Sequence, residues 1–79
     1  MDRAMVERHL EQARRHISEG ERHILGQQNL IARLELGGMG TSEAARLLAN
    51  FEDMQRLFIA DLDRLEKQMA ELPPNRSNP

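Results

Sequence analysis

The chain has 79 residues, no Cys, Trp or Tyr, and only two Phe, so it forms one small domain with no disulfide and no thiolate metal site. Eleven basic residues stand against thirteen acidic ones. Residues 1–25 hold five Arg and five acids, and residues 41–72 hold four basic and seven acidic residues. No basic face results, which argues against a nucleic-acid partner. No apolar run approaches about 18 residues, which argues against a membrane span.

Met1-Asp2-Arg3-Ala4 leads straight into a charged amphipathic pattern. It lacks the apolar stretch of a signal peptide, and with the lack of Cys this points to the cytoplasm. The first long segment, expected to be helical over 2–36, carries Val6, Leu10, Ala13, Ile17, Gly20, Ile24, Gln27, Ile31 and Leu34. Their spacings alternate between four and three, a heptad pattern. Leu10, Ile17, Ile24 and Ile31 take position a. Val6, Ala13, Gly20, Gln27 and Leu34 take position d.

Gly37-Gly38-Met39-Gly40 breaks the pattern. Each Gly inside a helix costs about 1 kcal/mol relative to Ala, whereas a C-cap and a tight reversal need Gly. The turn is expected over 37–41. Thr41 or Ser42 offers an oxygen to cap the second helix, and Glu43 complements its N-terminal dipole. That helix is expected over 42–72, with Ala44, Leu48, Phe51, Gln55, Phe58, Leu62, Leu65, Met69 and Leu72 in an equivalent stripe. Pro73-Pro74 ends it, and 73–79 is expected to be a disordered tail.

The expected fold is therefore all-α. It is an antiparallel coiled-coil hairpin of residues 1–72. If facing residues have numbers summing to 82, Gln27 meets Gln55, Gly20 meets Leu62 and Leu10 meets Leu72. The lone polar position of each stripe would then pair with the other and fix the register. Leu25, Leu30, Leu36, Leu47, Met54 and Leu57 fall outside the stripes. Left wet they would form an apolar patch of the kind that marks an interface, so two hairpins are expected to dimerise into a four-helix bundle. Another protein is the second choice of partner.

Glu7-Arg8-His9-Leu10, Arg14-Arg15-His16-Ile17 and Glu21-Arg22-His23-Ile24 recur every seven residues. His9, His16 and His23 thus share position g. Helical metal sites place ligands one turn apart, as in His-x-x-x-His, and these lie two turns apart, about 10 Å. They are weak metal candidates, and no cofactor is expected. A phosphoacceptor His would need a following acid and a nearby Pro; Leu10 follows His9 instead. A pH-responsive stripe is the remaining option, since free imidazole titrates near pH 6.5. The simplest role is to shield the seam with the apolar body of the ring. Arg8, Arg15 and Arg22 read as a solvated face with ion pairs such as Glu11–Arg15 and a Glu7–Arg14 neighbourhood. Gly20 at d would make room for Leu62, and Gly26 sits at c on the outer surface. No nucleophile–base grouping or phosphate loop is present, so no enzyme is expected.

His16-Ile17-Ser18-Glu19-Gly20-Glu21-Arg22-His23-Ile24, then Gln28, Leu34-Glu35, Gly40-Thr41, Ala44, Leu47-Leu48, Phe51-Glu52, Gln55 and Asp63-Arg64-Leu65 resemble a group of short uncharacterised alphaproteobacterial helical proteins. The likeness covers residues 7–66. In that group a His often stands near the place of Phe58. The resemblance implies a helical protein of the bacterial cytosol and no particular activity. The expected role is a small non-catalytic scaffold or interaction module; the alternative is a regulatory or sensory module using the His9/His16/His23 stripe for pH or metal response.

Overall fold

The computed structural model describes residues 2–73. Two helices, α1 (Arg3–Leu36) and α2 (Ser42–Glu71), pack antiparallel, with no strand among the described residues. The body is long and thin, 68 × 17 × 13 Å. Beyond Pro73, the tail expected over 73–79 lies outside the described residues. No described helix is long and apolar enough to cross a membrane.

Asp2 starts α1: its carboxylate accepts a hydrogen bond from the Met5 amide at 2.8 Å, satisfying one of the free donors of the first turn. α1 ends in a Schellman reversal. The Met39 amide donates to Leu34 O and the Gly38 amide to Glu35 O, while Gly38 takes φ +69°, a left-handed conformation open to Gly. Thr41 then occupies the N-cap of α2 without a side-chain hydrogen bond, contrary to expectation. Glu43 in the first turn of α2 complements its N-terminal dipole.

All eighteen stripe residues are buried or half-buried. The best-covered core lies toward the open end, where Val6, Leu10, Ala13 and Leu65 pack together with Leu62, Met69 and Leu72 around them.

The register differs from the expected one. The facing pairs His16–Phe58, Gly20–Gln55 and His23–Phe51 have numbers summing to 74 or 75, not 82. The helices are shifted by one heptad, about 10 Å. Gln27 and Gln55 therefore do not meet. Each reaches the backbone of the opposite helix instead: Gln27 Nε2 donates to Ala44 O and Gln55 Nε2 to Ile17 O, both at 2.9 Å. The reason is the turn. A heptad stripe looks the same after a seven-residue slip, so it cannot choose between the two registers. The Schellman reversal chooses, by folding the chain back beside the last turns of α1. Leu30 and Leu34 thereby share a cleft with Gly40, Ala44 and Leu47.

Gly20 also has a different task from the one expected. The Gln55 side chain crosses directly over it to reach Ile17. A Cβ on Gly20 would overlap Gln55 Oε1 and stand 2.8 Å from its Cδ. The bare backbone is what lets the amide pass.

Candidate functional site

The seam has two flanks of opposite character. On one, position g of α1 (His9, His16, His23, Leu30) lies beside position g of α2 (Leu47, Met54, Asp61, Gln68). On the other, position e of α1 (Glu7, Arg14, Glu21, Gln28, Glu35) lies beside Ala45, Glu52, Ile59 and Glu66. This second flank is charged, and Arg14 bridges the helices to Glu66 at 3.9 Å. That bridge replaces the expected Glu7–Arg14 neighbourhood, while Glu11–Arg15 forms as an i,i+4 pair at 3.6 Å. Both pairs are well exposed and worth little on their own.

The g flank holds the clefts. The central one encloses about 280 Å³ and is lined by His16, Glu19, Gly20, His23, Phe51, Met54 and Phe58. Gly20 has no side chain, and the Gln55 amide takes the space a Cβ would occupy there. The two imidazoles stand against the two Phe rings. His16 tilts over Phe58 at a centroid distance of 4.9 Å, and His23 meets Phe51 edge-on at 5.4 Å. Contacts of this kind contribute about 0.5–1.5 kcal/mol beyond area burial. The walls are apolar, with Glu19 at the rim. Toward the turn the flank continues through Leu30, Leu34, Ala44 and Leu47. Toward the open end it becomes polar, lined by His9, Gln12, Asp61 and Arg64.

All six apolar residues expected at an interface are exposed in the hairpin: Leu25, Leu30, Leu36, Leu47, Met54 and Leu57. They do not form one patch. Leu30, Leu47 and Met54 line the g flank, and Leu57 at c lies next to it. Leu25 at b lies on the other side of α1, and Leu36, 88 % exposed at f, points away from the seam. The spacing of the residues already carried this distinction. Phe51 and Phe58 were expected only as core; each also presents a ring to the cleft.

His9, His16 and His23 stay two helical turns apart, too far for one ion. Among the described residues no cluster of three His, Asp or Glu side chains is placed to hold a metal. The amide of Gln55 is over nine-tenths buried, and its Oε1 finds no hydrogen-bond partner among the described residues. It lies against the Gly20 backbone, where a weak Cα–H···O contact is the compensation available. The flank is thus an apolar groove that becomes polar toward the open end.

No known family, curated protein or solved structure matches the chain.

Proposed function

We propose that this hairpin is a non-catalytic protein-interaction module that works as a homodimer, two copies joining through their g flanks into a four-helix bundle. One observation carries the reading. Large apolar side chains are left open on the flank that also holds the apolar clefts, while the opposite flank, which leaves Ile59 open, is otherwise mostly charged. Leu30, Leu47 and Met54 are already about half covered, so burying what remains would contribute roughly 0.5–1.5 kcal/mol each. A small two-helix layer has little other core to draw on. Pairing like flanks about a two-fold axis is the simplest way to cover such a surface.

Solution mass by light scattering on a sizing column tests this. A dimer is expected at pH 7.5. Replacing Leu30, Leu47 and Met54 together by Lys is expected to give monomer or unfolded chain. A folded wild-type monomer at micromolar concentration would overturn the homodimer and leave the flank as a dock for a different protein. A folded dimer that survives the triple Lys change would move the interface elsewhere.

A pH response is the second reading, favoured by the two imidazoles in the cleft wall. Glu19 on α1, and Asp61 and Arg64 on α2, line the same clefts as His16. Repeating the mass measurement at pH 5.5 decides it: dissociation there makes the stripe a switch, and an unchanged dimer leaves it as rim.

A further inference from the structure

We infer that the occupant of the g flank is a second copy lying tip to tip with the first, its two-fold axis parallel to the helices, so that α1 of each copy rests on α2 of the other. This rests on the homodimer reading above and gives it an orientation. Two arrangements bring g flanks together. In the tip-to-tip one, residues at the same height meet. In the end-for-end one, α1 lies on α1 and α2 on α2, with heights reversed.

Height follows from the observed register, in which residue n of α1 is level with about residue 75 − n of α2. Arg33 is thus level with Glu43, Leu30 with Leu47, and His16 with Asp61. Within one chain Arg33 and Glu43 sit at c positions on the outer edges of the flank, and no ion pair joins them. In the tip-to-tip dimer each Arg33 faces the partner's Glu43. Leu30 lies on the partner's Leu47. His16 and Gln12 meet the partner's Asp61. Apolar surface covers apolar surface at the turn end, and polar groups meet polar groups at the open end.

The end-for-end dimer loses on each count. It sets Leu30 and Leu47 toward the polar end and, with α2 (Ser42–Glu71) fully overlapped, brings Glu43 level with the partner's Glu71. Like charges held together across an interface count strongly against it. Gly26 fits the tip-to-tip dimer as well. It lies at c on the same side of α1, and a Cβ built there meets nothing within 4 Å. A bare surface at that point lets the facing helix come close. Area is sufficient: a face 68 Å long and 17 Å wide has room for the roughly 800 Å² per partner of a standard interface.

The chain has no Cys, so one introduced Cys labels one site cleanly. Spin labels on Met39→Cys and, separately, Glu71→Cys are read by pulsed dipolar spectroscopy alongside light scattering. Tip-to-tip packing is expected to give separations of about 20–30 Å at both sites, set by the bundle diagonal of about 14 Å and the label arms. A dimer with separations on the order of 50 Å, from 1.5 Å of rise per residue over both half-lengths, would overturn the orientation and leave the homodimer standing. A monomeric mass with no dipolar coupling would sink the homodimer itself. The charge pair gives an independent check. Arg33→Glu or Glu43→Arg alone is expected to raise the dimer Kd roughly tenfold or more, since each sets two like-charge pairs together. The double variant is expected to recover most of that loss, with helicity followed by circular dichroism. A double variant as weak as either single would overturn the Arg33–Glu43 contact.

Discussion

Gly20→Ala is the sharpest test of how the seam is built, because its sign depends on one neighbouring side chain. In an unobstructed helix interior the change would stabilise by about 1 kcal/mol. Here the new methyl would overlap Gln55 Oε1 and crowd its Cδ at 2.8 Å. Gln55 must then leave, giving up its 2.9 Å bond to Ile17 O. A typical intramolecular hydrogen bond contributes about 1 kcal/mol net. Holding the displaced side chain in a poorer rotamer costs about 1 kcal/mol more. The balance is a destabilisation of about 1 kcal/mol. In a Gln55→Ala background nothing stands over Gly20, and the same Gly20→Ala change should stabilise by about 1 kcal/mol. The coupling is therefore about 2 kcal/mol, with a reversal of sign. Urea titrations of the four variants at one fixed chain concentration measure it, since the proposed dimerisation would make stability concentration-dependent. For a chain this size 1 kcal/mol moves the thermal midpoint by about 4–8 °C, so calorimetry serves equally well. If Gly20→Ala shifts stability in the same direction and by the same amount in both backgrounds, Gln55 does not cross at Gly20 and the helices do not pair in the register that sets Gly20 against Gln55.

The other predictions concern the same seam. Gln27→Leu and Gln55→Leu should each raise the thermal midpoint, because a Leu filling the seam adds apolar burial that exceeds the one hydrogen bond lost. Their effects should add to within about 0.5 kcal/mol, since the two amides stand two turns apart and share no partner; strong coupling in a double-mutant cycle would restore a Gln–Gln layer. Gly38→Ala should destabilise by about 1–2 kcal/mol, because φ +69° is costly for any residue with a Cβ. Denaturant midpoints at equal concentration check it, and an unchanged midpoint would mean that the turn relaxes without loss.

Much of the fold was legible because helix periodicity and helix breakers are local signals. The alternation of four and three along Val6 to Leu34 and along Ala44 to Leu72 marks the buried faces correctly, and Gly37-Gly38-Met39-Gly40 marks the reversal. The register was not legible from the stripes. Shifting one helix by seven residues lays the same stripe against the same stripe, so only a non-repeating feature can decide. The two Gln residues looked like that feature if they paired with each other. A buried amide is equally well served by a backbone carbonyl across the seam, and both Gln27 and Gln55 take that option. The deciding feature is the turn, whose Schellman geometry sets where α2 begins relative to α1. Three Gly in four residues announce a reversal but leave open which one turns left-handed, and Gly38 alone does so.

The candidate site shows the same division between local and paired information. Heptad letters already separate Leu30, Leu47 and Met54 at g from Leu25 at b and Leu36 at f, so which apolar residues share a flank follows from spacing once both helices are assigned. What a single stripe cannot show is which residues face one another across the seam. The cleft depends on that. Gly20 lines it with the Gln55 amide crossing beside it, and its walls are His16 on Phe58 and His23 on Phe51. In the register summing to 82, Gly20 would face Leu62 and His16 would stand level with Glu66, so no aromatic cleft would form there. The heptad set by the turn is thus what builds the cleft as well as the seam. A change that slipped the register, such as a loosened turn, is expected to remove the cleft, and with it the proposed docking surface, even where every helix survives.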